Sequence, residues 1–436
     1  MELKPYPQYK DSGVEWLNRI PIDWKLKRFG HVFKENKRKN NGLKETNVLS
    51  LSYGNIVERV IDDNKGLLPA SFETYQIVEP DDIIFRFTDL QNDKRSLRSA
   101  ISNHNGIITS AYIGVKTEEN SKYYNYLFRA YDLQKVFYSM GDGMRQSLKM
   151  EELNKMPIVL PSTAEQADIV AFLDHETSRI DNLIAKQEKL IVLLEEQRKS
   201  IISHAVTKGL DPNAPMKDSG IEWLGEVPEH WAVLSSKHLL EIPITDGPHE
   251  TPNFVDDGVP FISAEAISEG EIDFNKKRGY ITPELDEVYS KKYSPKIDDI
   301  YMVKSGATTG KVAMVKTDDK FNIWSPLAVF RCNKNKVLPQ FLLNVFESSH
   351  FYDALVLNWS YGTQQNIGMG VLSNISIPCP PLREQEAIVS HINHENMKLS
   401  KLANSQKQLI EKLKEYRTSV ISHAVTGKID VREFGQ

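Results

Sequence analysis

Apolar positions along the chain follow two different rhythms. From residue 163 to 206 they recur every three or four residues: Ile169, Leu173, Glu176, Ile180, Leu183, Gln187, Leu190, Leu194, Gln197, Ile201 and His204 form a mostly apolar seam interrupted by a few polar positions. No Gly or Pro intervenes before Gly209, and Ser162 with Glu165 has the spacing of a capping box. This is the signature of one amphipathic helix of about 44 residues, roughly 65 Å long at 1.5 Å per residue. The pattern returns as Ile388, Ile392, Glu395, Leu399, Leu402, Gln406, Leu409, Leu413, Tyr416, Val420 and His423. Elsewhere short apolar runs such as Asp82–Phe87 and Ile300–Val303 stand among Gly, Pro and Asn turns, which predicts mixed α/β heads.

The helices belong to a longer repeat. KDSGVEWL at 10–17 returns as KDSGIEWL at 217–224, and the register holds through Pro21/Pro228 and Trp24/Trp231. A second block pairs Pro161 with Pro380 and Glu165-Gln166 with Glu384-Gln385, and ends in ISHAVT at 202–207 and 421–426. The segment after the first helix resembles the N-terminus, so the chain reads as a circular repeat. Its expected divisions are a first head over 1–161, a helix over 162–208, a second head over 209–380, a helix over 381–426, and a tail over 427–436 near the N-terminus. Two such helices bury their seams best against each other, and the connectivity makes that pair antiparallel. The fold expectation is therefore two α/β (α+β) heads joined by an antiparallel coiled coil with pseudo-twofold symmetry. Gln187 and Gln406 fall at the seam midpoint, and they are expected to face each other and fix the register.

Composition narrows the function. With 40% hydrophobic and 26% charged residues the chain has material for real cores, so a disordered protein is excluded. Two cysteines, Cys332 and Cys379, cannot build a disulfide framework or a four-ligand zinc site. No stretch approaches eighteen apolar residues, which leads to the expectation of a soluble cytoplasmic protein. The net charge of −5 is unevenly spread. Residues 1–161 carry 24 Lys and Arg against 21 Asp and Glu, or +3; residues 209–380 carry 15 against 23, or −8. Any polyanion must meet local basic patches or a partner's charge.

Catalytic motifs fail on inspection. Gly306-Ala-Thr-Thr-Gly310-Lys311 is one residue short of a Walker A loop, and Val312 replaces the required hydroxyl. Asp318-Asp319-Lys320 has a nuclease-like spacing but reads better as a solvated turn. His175-Glu176 and His394-Glu395 lack the spacing that puts two zinc ligands on one face. No catalytic or metal-binding residue is expected.

Binding signals are stronger. The run from Lys25 to Lys44 holds eight bases against Glu35, with Phe29 and Phe33 interleaved. It is expected to be a helix with an aromatic core side and a free basic side, and Lys34, Lys37, Arg38 and Lys39 are candidates for phosphate contact. Lys94, Arg95 and Arg98 lie in a polar loop after a strand. Arg145-Gln146-Ser147 and Gln364-Gln365-Asn366 occupy matching places in the two heads, and Arg and Gln can read guanine and adenine edges. Lys304, Ser305, Thr308 and Thr309 complete the candidates, as a loop of backbone N–H groups and hydroxyls near a phosphate.

Two variable heads opened by K-D-S-G-x-E-W-L and P-x-x-W, alternating with helices that end in I-S-H-A-V-T, resemble the specificity subunit of bacterial type I restriction-modification systems. The resemblance spans nearly the whole chain and is weakest inside the heads. It implies that each head is a target recognition domain reading half of a split double-stranded DNA site. The helices would set the spacer and dock two DNA methyltransferase subunits that use S-adenosylmethionine. Motor-nuclease subunits using ATP and Mg would bind further out, and this chain would carry no cofactor. Two rival readings are a bipartite DNA-binding adaptor outside restriction, and an enzyme with a site near Lys304–Lys311 or Asp318–Lys320.

Overall fold

The computed structural model describes residues 4–59, 71–88, 97–140, 147–268, 270–358 and 365–434. The chain divides into two compact units, one of residues 1–187 and 408–436, the other of residues 188–407. The long helices, Thr163–Lys208 and Leu382–Val425, contribute a stretch to each unit.

In the first unit an antiparallel sheet runs Phe33–Glu35, Ile113–Thr117, Ile83–Phe85, Ser99–Ile101. Val115 pairs with both Glu35 and Ile83. Helix Ser121–Leu133 covers the sheet, and the Asn120 side chain accepts from the Lys122 and Tyr123 N–H groups at its start. The core is aromatic: Phe29 stacks on Phe33 at 4.4 Å, and Phe85 and Phe128 lie 5.0 Å apart. Ile169 and Leu173 of the first long helix and Val420, Ile421 and Val425 of the second complete it.

The second unit repeats this sheet as Thr245–Asp246, Leu327–Phe330, Ile300–Val303, Val312–Met314. Phe330 pairs with Ile300 as Val115 pairs with Ile83. It adds a second sheet of Gly279–Ile281, Val259–Ile262 and Asn322–Ile323, the last pair parallel. Its main core gathers Met302, Phe341, Phe346 and Phe351 with Ile202 and Val206 from one long helix and Ile388 and Ile392 from the other.

The repeated motifs do the same work in both units. In each K-D-S-G turn an Asp carboxylate accepts from a Gly N–H at 2.9 Å, Asp11 from Gly13 and Asp218 from Gly220. Both glycines are left-handed (φ 66° and 72°), which explains the residue type. Trp24 and Trp231 are buried. Gln166 and Gln385 are fully buried: each donates to a preceding proline carbonyl, Pro161 or Pro380, and accepts a distant backbone N–H, from Asn120 or Leu338. The helices end where Thr207 and Thr426 bond back to Ser203 and Ser422, before left-handed Gly209 and Gly427.

Within each unit the two long helices run antiparallel. In the first, Asp181 takes a bidentate bond from Arg417 while Ile169 and Leu173 share a core with Val420–Val425. In the second, Leu194 packs with Leu399 and Ala403, whereas Ile202 and Val206 share a core with Ile388 and Ile392. The expected seam drifts, however. Leu190, Leu402, Leu409 and Tyr416 are exposed, as are Gln197, His204 and His423; Leu194 is buried as the seam requires, while Ala403 and Ile410 are buried in place of Leu402 and Leu409. A strict seven-residue count overran: the buried row takes an extra four-residue step near Leu399–Ala403, which keeps a straighter helix in phase.

A second correction concerns Lys25–Lys44. It is a strand (Lys25–Arg28), a 3-10 turn (Phe29–His31) and a strand (Phe33–Glu35), not a helix. Phe29 and Phe33 reach the same core across that turn, so their four-residue spacing mimicked helical periodicity. Asp318 and Asp319 lie in an exposed turn, as expected.

Candidate nucleic-acid interface

The four-stranded sheets carry the polar chemistry on the turns at their ends. In both units a left-handed aspartate precedes a buried one. Asp81 (φ 70°) leads into Asp82, and Asp298 (φ 72°) into Asp299. Asp82 accepts from the Glu79 N–H at 3.1 Å and Asp299 from the Lys296 N–H at 2.9 Å, so each carboxylate closes its own turn. The partners then differ. Asp82 accepts from the Asn36 amide at 3.0 Å and lies 3.6 Å from the Lys116 ammonium, and burial pushes its carboxyl up. Asp299 takes two 2.7 Å bonds from Arg331 and one of 2.6 Å from Tyr293.

The basic run of the first unit is partly neutralised. Lys34 lies 3.6 Å from Glu118, Lys37 lies 3.0 Å from Glu35, and Arg38 donates to Glu79 at 2.7 Å. Arg38 and Lys116 together hold the Glu79 carboxyl down at about 2. Lys39 is exposed, its backbone paired with Gln76. Lys34, Lys37, Lys39 and the exposed Lys25, Lys27 and Arg28 keep their ammonium or guanidinium groups at the surface.

Arg98 departs from expectation. Its side chain is fully buried, donates to the Thr88 carbonyl at 3.1 Å and lies over the Tyr138 ring, while its N–H donates to Asp132. A buried guanidinium does not reach a base edge, so Arg98 has a structural role. Ser147 and Gln365 are exposed. Lys94, Arg95, Arg145, Gln146 and Gln364 lie outside the described residues.

The glycine run of the second unit is a closed turn and not an amide cradle. The N–H groups of Gly306, Thr309, Gly310 and Lys311 donate to the carbonyls of Gln365, Gly306, Val303 and Thr308. The buried Thr309 hydroxyl also donates to Gly306 O, at 2.7 Å, which leaves it nothing for a phosphate. Ser305 pairs through its backbone with Asn366, so this turn and the Gln365 segment are brought together, and Thr308 is half-buried beside them.

Lys304 joins a cluster that the motif search missed. Its ammonium lies 3.4 Å from the buried Asp246 carboxylate, which also meets Lys292 at 2.6 Å and His249 at 3.1 Å. The signal was weak in sequence, since five strands and a helix separate Asp246 from Lys304. Further along the same unit Arg278 lies over the Trp324 ring and Lys277 over Tyr280. Among the described residues there is no group of three or more His, Cys, Asp or Glu placed to hold a metal. Likewise no helix among them is long and apolar enough to cross a membrane. Gln187 belongs to the first unit and Gln406 to the second, each half-buried.

Two mixed α/β units built on one plan, each holding parts of two long helices and each dressed with different cations and amides, define a duplicated recognition scaffold. Residues 228–415 match the family model described as the type I restriction modification DNA specificity domain. Along its length the chain is 26% identical to the type I restriction enzyme MjaVIII specificity subunit of Methanocaldococcus jannaschii, covering 97% of each chain. It is 24% identical to the Escherichia coli EcoBI specificity subunit over 65% of this chain and 60% of that one. In fold it is similar to the HsdS subunit from Thermoanaerobacter tengcongensis, with a TM-score of 0.54 and 16% identity over 96% of this chain and 99% of the other. A chain from a type I R-M system structure gives a TM-score of 0.65 at 16% identity, covering 93% of this chain and 98% of that one. Over nearly its whole length, then, the chain is similar to type I restriction enzyme specificity subunits.

Proposed function

We propose that this chain is the sequence-specific DNA-recognition subunit of a type I restriction-modification complex, with each head reading one half of a bipartite site. The observation that carries this reading is the pairing of a shared frame with divergent surfaces. Asp82 and Asp299 close the same turn, and Gln166 and Gln385 the same helix start, yet the cations around them differ. Two readers of different half-sites need one frame and two surfaces. The long helices then set the spacer and dock two DNA methyltransferase subunits, with motor-nuclease subunits bound further out. The chain contributes recognition and no catalytic group.

Lys34, Lys37 and Lys39 are assigned to phosphate contact, and Lys94, Arg95, Arg145, Gln146, Gln364 and Gln365 to base reading. The test is to produce the chain with its methyltransferase partner and map methylated adenines across a genome. A split motif is expected. Replacing residues 209–380 by another head should change one half of the motif and leave the other. A continuous motif, or a change in both halves, would overturn the reading. Failure to co-purify with any methyltransferase would favour an adaptor outside restriction.

A further inference from the structure

Asp246 sits at the end of the short strand Thr245–Asp246, at the edge of the second unit's four-stranded sheet. Its position is tightly set. A Cβ on the next residue, Gly247, would lie 2.0 Å from the Ile323 carbonyl oxygen, so only glycine lets the chain pass there. Beyond it, Ser325 N–H donates to Pro248 O, the Trp324 indole donates to Glu250 O, and Tyr289 donates to the Glu250 carboxylate. The carboxylate of Asp246 is only 1% exposed, a placement that is costly for a charge without partners.

It has three. Lys292 donates to Oδ1 at 2.6 Å, and Oδ2 lies 3.1 Å from His249 Nε2 and 3.4 Å from Lys304 Nζ. Oδ2 takes no hydrogen bond, so Lys304 is held beside it by charge, and the donors of Lys304 and His249 stay uncommitted to Asp246. The side chains of Lys292 and His249 are 51% and 71% exposed, so these two face solvent, while Lys304, at 12%, and the carboxylate are mostly covered. Two ammonium groups against one carboxylate leave one positive charge in surplus, and a protonated His249 makes it two.

That surplus is unusual in this unit. Every other ion pair there among the described residues joins one carboxylate to one base, as in Lys320–Asp286, Arg331–Asp299 and Lys334–Asp298. In the first unit the clustered carboxylates are balanced, with Glu79 and Asp82 facing Arg38 and Lys116. A head whose sequence carries −8 repels DNA except where positive charge is gathered. Here it is gathered and fixed from behind by a carboxylate that the solvent does not reach.

We infer that Lys292, Lys304 and His249 form a phosphate-binding site of the second head, with Asp246 as the positioning residue that fixes the two ammonium groups. The inference rests on the DNA-recognition reading and adds the place where the acidic head meets the backbone of the duplex. The bound group is a DNA phosphodiester. Its contact is sequence-independent, but its position sets the register in which neighbouring side chains reach base edges.

The test uses the full chain with its methyltransferase partner, a duplex carrying the mapped site, and a random-sequence duplex of equal length. Affinity is measured at several salt concentrations. Lys292→Met should weaken binding to both duplexes about three- to tenfold and reduce the slope of log affinity against log salt by about 0.9, while Lys292→Arg keeps the slope. Asp246→Asn retains the cations but frees them, so affinity for random DNA should not fall while preference for the mapped site drops at least threefold. If Asp246→Asn does not fold, His249→Gln, an exposed change, should still weaken binding to both duplexes. A folded Lys292→Met with unchanged slope and affinity would overturn the inference, as would an unchanged preference in folded Asp246→Asn or an unchanged affinity in His249→Gln. Wild-type protein that fails to distinguish the mapped site from random DNA would instead overturn the recognition reading itself.

Discussion

At the scale of single residues, charge in this chain is decided by what stands behind each base. Arg38 points outward from a basic run, yet together with Lys116 it is committed to Glu79. Glu79 is held at about 2, so the sign of its pH dependence follows directly. Its folded value lies below the ordinary one near 4.5, so its contribution to stability is present above that value and is lost as pH falls through about 2. With 42% of the side chain exposed, solvent screens the pair and the effect is small. Glu79→Gln should therefore lower the urea midpoint modestly at pH 7, and the gap from wild type should close as the pH approaches 2. An equal gap at both ends of that range would show that the substitution acts by packing. Arg38 and Arg98 show why site residues were only partly legible in the sequence. A cation's residue type is visible there, but the carboxylate or carbonyl that occupies it lies 41 positions away for Arg38 and 10 for Arg98.

At the scale of elements, the long helices were readable because one periodicity persists for about forty residues and no glycine or proline breaks it. Their burial phase was not readable to the residue, because a seven-residue count and a 3.6-residue turn part company over that length. The difference has a measurable consequence. Leu194 is buried against Leu399 and Ala403, and Leu190, one turn earlier, is 39% exposed. Leu194→Ala should cost about 2–4 kcal/mol in urea unfolding and Leu190→Ala less than about 1 kcal/mol. The second helix repeats the contrast, with Ile410→Ala costly and Leu409→Ala mild. Equal costs at Ile410 and Leu409 would restore the unshifted seam. The Lys25–Lys44 segment failed for a related reason. Two phenylalanines four apart suit either a helix or two strand ends facing one core, and only the pairing of Lys25–Arg28 with Pro157–Leu160, over a hundred residues away, decides between them.

At the scale of the whole molecule, the circular repeat has a concrete counterpart in the joints that follow the two helices. After the first, Lys208 reaches the carbonyl of Glu226. After the second, Lys428 reaches the carbonyls of Arg19 and Leu17, and Arg19 occupies in the first K-D-S-G block the place of Glu226 in the second. The lysine has traded places with its glycine (TKG against TGK), yet it caps the same carbonyl. In the continuous joint the chain runs covalently from Lys208 through exposed Asp211 and Pro212 into Met216–Asp218. In the other, Asp430 N–H donates to the Lys4 carbonyl at 2.8 Å, and Phe434 packs on Phe172. The two joints make the same kind of contact, and only one of them is bonded, so the bond should be movable. A chain opened between Pro212 and Asn213, with Phe434 linked to Lys4 through a short Gly-Ser segment, should fold with unchanged helical circular dichroism. It should unfold within about 1–2 kcal/mol of the original, because opening an exposed turn removes little packing and closing the other offsets its entropy. Loss of cooperative unfolding would mean that the covalent link at 209–215 holds the second head in a way its contacts do not.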